Sequence, residues 1–142
     1  MILKFKRTHP DAIAPTRGSV KASGLDLSSL VDTILKPGET KIIPTGIIFD
    51  IPEGYEIQVR ARSGLSAKTS LRVANGIGTV DQDFTGQVGV IMWNAGPDTM
   101  VISRGDRIAQ AVLCPVVLAE PHEVAYVRET ERGSNGYGST GI

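Results

Sequence analysis

Short stretches of period-two alternation, cut repeatedly by glycine and proline, restrict this chain more than any other feature. In Tyr55-Glu-Ile-Gln-Val-Arg-Ala61 the apolar residues fall at 55, 57, 59 and 61. That is the mark of a strand with one buried face, because successive strand side chains point to opposite sides. Lys41–Phe49 and Gln87–Asn94 are more continuously apolar and predict deeply buried strands. Thr99–Ile102, Arg107–Cys114 and Glu123–Val127 predict further strands. Turn signals separate them at Pro37-Gly38, Pro52-Glu-Gly54, Asn75-Gly76, Gly96-Pro-Asp98 and Arg104-Gly-Asp106. Only Gly64 to Ser70 offers a helical turn or two. Many short strands joined by turns predict an all-β, jelly-roll-like barrel or sandwich with one very short helix.

Charge and apolar content then narrow the function. Fifteen basic residues balance fifteen acidic ones, whereas a protein that grips nucleic acid through its backbone carries a basic excess. No nucleic-acid partner is expected. A polyanionic small molecule stays open, since a few clustered arginines suffice for one triphosphate. No run reaches the ~18 apolar residues of a membrane span, and the first ten residues lack the apolar core of a signal peptide. No membrane partner is expected. Cys114 is the one cysteine; it reads as a small buried hydrophobe in a reducing, cytoplasmic setting.

Glu131-Arg-Gly-Ser-Asn-Gly-Tyr-Gly-Ser-Thr-Gly141 differs from the rest. It has almost no apolar content, and composition alone makes it a disordered tail. The same glycines would let it close over a ligand, with Arg132 supplying a cation and Tyr137 a ring. The expected organisation is a β-domain over 1–130 and a flexible C-terminal arm over 131–142.

Two familiar patterns fail. Gly64-Leu-Ser-Ala-Lys-Thr-Ser70 resembles the end of a phosphate-binding loop, but Ala67 stands where a glycine is required. Gly76-Ile-Gly-Thr-Val-Asp81 begins like a dinucleotide fingerprint, but Asp81 occupies the third glycine's place. Neither His9 nor His122 has a Cys or His at ligand spacing, so no structural zinc site is expected.

Four clusters resist explanation as packing. Arg62-Ser63-Gly64 ends an amphipathic strand with a forked donor, a hydroxyl and an accessible backbone, which suits phosphate oxygens. Asn75-Gly-Ile-Gly78-Thr79-Val80-Asp81-Gln-Asp83-Phe84-Thr-Gly86 frames acids and an aromatic in a glycine-rich hairpin. An apolar setting there raises a carboxylate's proton affinity and poises it as a base for water. Gly105-Asp-Arg-Ile-Ala-Gln110 feeds a buried strand that carries an inward Gln110. The fourth cluster is the tail. Taken singly, each also fits an ordinary turn or a solvated charge.

Taken in order, together with Ala22-Ser-Gly24-Leu-Asp26-Leu27, these clusters closely resemble the five motifs of the homotrimeric dUTPase family. The resemblance runs from residue 22 to residue 141. It implies a Mg²⁺-dependent enzyme that splits dUTP into dUMP and pyrophosphate, keeping uracil out of DNA and supplying dUMP. It also implies a homotrimer whose active sites are shared between chains. By the same resemblance Asp81 activates a water for attack on the α-phosphorus. Asp26 meets the metal indirectly, through its water shell, and the triphosphate itself holds most of the Mg²⁺.

The hairpin from Asn75 through Gly78, Thr79 and Val80 would read uracil with backbone groups, while Phe84 stacks on the deoxyribose and excludes a 2′-hydroxyl. Arg62, Ser63, Gly64 and Gln110 would hold phosphates. In the arm, Arg132 would reach the γ-phosphate and Tyr137 cover the base, with Gly138 and Ser139 beside the nucleotide. A mismatched buried hydrogen bond costs about 1–3 kcal/mol, so two would reject dCTP several hundred-fold or more.

The departures from the family pattern are Phe84 for a usual Tyr, Tyr137 for a usual Phe, Ala61 for a common Pro and Asn135 for a Gly. Asn tolerates left-handed backbone angles better than other non-glycine residues. Two rival readings remain: a dCTP deaminase of the same fold, and a trimeric nucleotide-binding regulator without turnover. The deaminase needs a carboxylate facing the base's amine rather than the α-phosphate.

Overall fold

A computed structural model describes residues 1–136. Eleven strands and one helix follow in order: β1 (Lys4–Arg7), β2 (Leu25–Ser28), β3 (Thr33–Leu35), β4 (Thr40–Pro44), β5 (Ile47–Asp50), β6 (Tyr55–Arg60), α1 (Ser63–Lys68), β7 (Leu71–Val73), β8 (Ile77–Val80), β9 (Gly89–Asn94), β10 (Met100–Ile102) and β11 (Arg107–Pro115). The architecture is an all-β jelly roll with a single short helix, as the alternation predicts.

The largest sheet has the order β2-β11-β6-β8, with every pair antiparallel. One of its two inner strands, β11, is thus the last of the described strands. A three-stranded sheet, β4-β9-β7, and two strand pairs, β1-β5 and β10-β3, complete the fold. Alternation decides what each strand buries. From the large sheet Leu27, Ile57, Val59, Ala109 and Ala111 enter the core, and Ile43, Leu71, Val90 and Met92 meet them from the other side. Fully burying one such Leu, Ile, Val or Met side chain is worth about 1.5–3 kcal/mol.

Two buried polar side chains show why the loops hold still. Asn94 is fully buried, donating its amide to the carbonyls of Leu35 (3.0 Å) and Asp98 (2.7 Å). Its own carbonyl accepts from the Ser70 hydroxyl (2.7 Å) and the Gly96 N–H (3.1 Å). An unpaired amide here would cost its desolvation penalty, so this loop is fixed as it stands. Thr45, also buried, donates to the Val88 carbonyl at 2.7 Å.

Three expectations need correction. The stretch 41–49 is two strands, because Thr45 and Gly46 break it; Gly46 has φ +73°, a left-handed angle that favours glycine. Glu123–Val127 forms no strand: it has no pairing partner among the described residues, and Tyr126 is 91% exposed. Period-two alternation signals fitness for a sheet but supplies no neighbour to pair with. Cys114 is half-buried rather than buried, and its Sγ accepts a weak hydrogen bond from Arg60 at 3.5 Å.

Candidate functional site

The motif residues gather at two places on the large sheet. The first lies where β2, β11 and β6 end together. Register puts Gln110 of β11 opposite Asp26 of β2 on one side and Arg60 of β6 on the other. Arg62 follows two residues beyond Arg60, so strand pairing alone brings the three motifs into one cluster.

Asp26 is its hub. Arg62 donates from Nε to Asp26 Oδ1 at 2.8 Å, and Arg107 donates from Nη1 to Oδ2 at 3.0 Å. Arg62 also donates from Nη1 to the Arg107 carbonyl at 3.0 Å. Behind them the Asp26 N–H donates to the Thr16 carbonyl at 2.8 Å. Two guanidiniums against one carboxylate leave a net positive charge, and the Asp26 side chain is only 15% exposed. Charge-assisted bonds of this kind are roughly twice as strong as neutral ones. The Gln110 amide donates to the Ala61 carbonyl at 2.9 Å, tying β11 to the turn that carries Arg62. Gly24 explains itself here. A Cβ on it would run into the Gln110 side chain, with the Gln110 Cβ only 2.9 Å away. Ser63 and Gly64 open α1 directly after Arg62.

The second place is the hairpin from Asn75 to Gly86. Its turn closes through Gly76, at φ +69°, whose N–H donates to the Val73 carbonyl at 3.0 Å. β8 is the outermost strand of the large sheet, so one row of its N–H and C=O groups faces away from β6. Gly78 carries no side chain where a Cβ would stand 3.3 Å from the Val59 Cβ. Past β8 the chain turns, with the Phe84 N–H donating to the Asp81 carbonyl at 3.1 Å. The Phe84 ring folds back over Gly86, where a Cβ would sit 2.6 Å from its Cζ. Beside this turn lies a hollow of about 170 Å³, lined by Thr79, Val80, Asp81, Phe84, Gln87 and Val88 among others.

The expected apolar setting of Asp81 is not formed by its own chain. Asp81 is exposed, because it lies beyond the end of an edge strand. Among the described residues neither Asp81 nor Asp83 takes part in an ion pair.

The Asp81 end of the hairpin is well separated from the first cluster, although Ile77 at its start pairs with Arg60 beside that cluster. Ile57 of β6 pairs with Val80, so Glu56 lies level with Asp81. From Glu56 to Ser63 the chain runs 63 − 56 = 7 residues, which at the rise of a strand is roughly 20 Å.

In the arm, Arg132 is exposed and donates from Nε to the Asn135 carbonyl at 2.9 Å within a local turn. Tyr137, Gly138 and Ser139 lie outside the described residues. Sequence reasoning passed over Arg107 as an individual residue. An Arg at the polar start of an apolar strand carries no signal of its own, and only its ion pair with Asp26 reveals it. A separate cleft of about 410 Å³ is walled by Leu3, Phe5, Leu25, Phe49 and Leu113 among others. Its apolar wall does not suit a triphosphate.

A guanidinium-rich sheet end and an open strand edge on a jelly roll define a protein built to hold a phosphorylated, base-bearing ligand. The comparisons agree. The dUTPase family model matches residues 10–141. A deoxyuridine 5′-triphosphate nucleotidohydrolase of Nautilia profundicola is 46% identical, with 99% of each chain covered. One from Gloeothece citriformis is 43% identical over all of this chain and 98% of its own. Among solved structures, a mutant dUTPase of Staphylococcus bacteriophage 80alpha with dUpNHpp superimposes with a TM-score of 0.93 at 27% identity, covering 99% of each chain. The chain belongs to the dUTPase family.

Proposed function

We propose that this chain hydrolyses dUTP to dUMP and pyrophosphate, at sites each assembled from more than one copy. One observation carries the reading. The phosphate-type cluster lies beyond the Arg60 end of β6 and Asp81 beyond its Ile57 end, whereas a general base must stand about 3 Å from the proton it takes. A single chain therefore does not bring its own Ser63 and its own Asp81 to one α-phosphate. Two neighbouring copies would, each lending one half, and the arm of a third copy would close the pocket through Arg132 and Tyr137. Closed symmetric assembly makes all such sites equivalent, and three is the number the family pattern implies. In this reading the chain divides into a catalytic β-domain over 1–130 and a closing arm over 131–142.

The chemistry follows from the parts. The outer edge of β8 offers alternating N–H and C=O groups, which match the acceptor–donor–acceptor edge of uracil and mismatch cytosine. Phe84 lies against the sugar and leaves no room for a 2′-hydroxyl. Asp81 takes the proton of a water aimed at the α-phosphorus, and pyrophosphate leaves. Arg62, Ser63, Gly64 and Gln110 hold the phosphate oxygens from the partner copy, and a neighbouring chain excludes water from the carboxylate that stands exposed alone.

Among the described residues no group of three or more His, Cys, Asp or Glu side chains could hold a metal ion. Asp26, already bonded to two guanidiniums, suits contact with a metal's water shell better than direct ligation. Mg²⁺ fits as cargo carried in on the triphosphate, near the Asp26 end of the sheet, where it would supply charge neutralisation on the phosphoryl oxygens. This reading puts Asp81 at the α-phosphate, whereas a deaminase would need a carboxylate facing the base's amine.

The test is pyrophosphate release from dUTP, dCTP, dTTP and UTP in parallel, with Mg²⁺ and then with EDTA. Mg²⁺-stimulated release from dUTP alone is expected. Ammonia from dCTP would replace the reading with deamination, and binding without turnover would leave a regulator. Shared sites are tested by co-refolding Asp81→Asn chains with Arg62→Ala chains, each inactive alone. Random mixing leaves both halves intact at roughly a quarter of the sites, and an inactive mixture would place each site within one chain.

A further inference from the structure

We propose that Arg107 is a positioning residue for this reaction: it braces Asp26 so that Arg62 presents its remaining Nη2 group to the phosphates. The inference rests on the hydrolase reading for its kinetic consequence and on bond accounting for its geometry. Arg62 uses Nε on Asp26 Oδ1 and Nη1 on the Arg107 carbonyl. The two bonds engage two different nitrogens of the planar fork, from different directions. Nη2, with two N–H groups, is left without a partner among the described residues, and the Arg62 side chain is 25% exposed.

What fixes that orientation is the position of Asp26, and Asp26 is held from two directions. Its backbone is pinned by Thr16 and its second carboxylate oxygen by Arg107 Nη1. A carboxylate with one partner can rotate about its terminal torsion, which is broad and two-fold. A carboxylate bonded through both oxygens cannot, and the arginine it carries is then fixed as well. Arg107 contributes twice, through its side chain to Asp26 and through its carbonyl to Arg62 Nη1. It stands at the irregular start of β11, where the register shifts between Arg107 and Ala109. That shift separates Arg107 from the regular pairing of Gln110 with Asp26. The Arg107 side chain is 57% exposed, so replacing it leaves the core untouched.

Arg107→Ala is expected to lower kcat about tenfold with KM changed less than about threefold, since an aim is lost rather than a binding contact. Arg107→Lys should recover part of kcat, because a lysine reaches Asp26 as a point charge without the planar fork. In an Asp26→Asn background the same Arg107→Ala change should have little further effect, since Arg107 acts through Asp26. Equal losses in both backgrounds would mean that Arg107 touches the substrate itself, and unchanged kcat with only a lowered Tm would make its role structural. Either result overturns the proposal.

A spectroscopic readout decides the matter without turnover. The Arg62 Nε–H resonance in a ¹H–¹⁵N spectrum should be sharp and protected in the unmodified protein and in Arg107→Lys, and broadened or lost in Arg107→Ala. A sharp resonance in Arg107→Ala overturns the bracing of Asp26 even in a protein that proves inert toward dUTP.

Discussion

The two halves of the site are built on opposite plans. At the meeting of β2, β11 and β6, Asp26, Arg62 and Arg107 are interlocked by charge-assisted bonds of 2.8–3.0 Å, and Gln110 is packed against Gly24. On the β8 hairpin the key side chains stand free: Asp81 is exposed and Phe84 is 46% exposed. The difference follows from what each half handles. Clustered guanidiniums repel one another and wander unless an acid and carbonyls hold them, so the charged half is wired before any ligand arrives. Backbone groups on a strand edge are already fixed by the sheet. They need no side-chain contacts to hold their positions.

The largest effect that could break this contrast comes from the free half. Asp81→Asn should lower turnover by about 10²–10⁴-fold while dUTP still binds, measured by single-turnover kinetics beside calorimetry; normal turnover would remove Asp81 from the role of base. Next comes the arm. Truncation before Arg132 should cut kcat/KM by roughly tenfold or more, as loss of a closing segment does, and unchanged kinetics would take the arm out of the mechanism. In the wired half, Gly24→Ala should cost about 1–3 kcal/mol of stability through overpacking against Gln110, read from denaturant unfolding, and lower activity as well. A fully stable Gly24→Ala protein would show that Gln110 is not packed as tightly as its neighbours demand. Phe84→Ala should narrow the preference for dUTP over UTP by about tenfold while leaving the fold intact, seen in the ratio of kcat/KM values. The smallest expected effect is at Thr79→Ser, where KM should move less than about twofold because the strand's backbone does the recognising. A larger change would move recognition onto the side chains.

Local pattern carried much of this in advance. Alternation located β6, β9, β10 and β11, and turn chemistry located the joints between them. It also suggested a strand at Glu123–Val127 that the described residues leave unpaired, since alternation contains no statement about neighbours. The arginine bracing was invisible for a related reason. Asp26 and Arg107 stand 81 residues apart, and nothing in either stretch announces the other. Arg62-Ser63-Gly64 and the acidic hairpin were legible as residue types suited to phosphates and to a base. That Arg62-Ser63-Gly64 and Asp81 lie beyond opposite ends of one strand became visible only with the register of β6 against β8. Cys114 shows the opposite error: an apolar neighbourhood in sequence predicted burial, and the outward face of β11 placed it beside Arg60 instead.

The position of β11 has a consequence for how the molecule is made. Among the described strands β11 is the last to be synthesised, and it is one of the two inner strands of the large sheet, flanked by β2 and β6. Until it arrives, those two strands expose inner edges with nothing to pair against, the kind of surface that aggregates during synthesis. Arg107 and Gln110 travel on that same strand. An unfinished or prematurely released chain therefore lacks a closed sheet, and any ligand held at the Arg107–Gln110 end can stabilise only those molecules whose synthesis has passed β11.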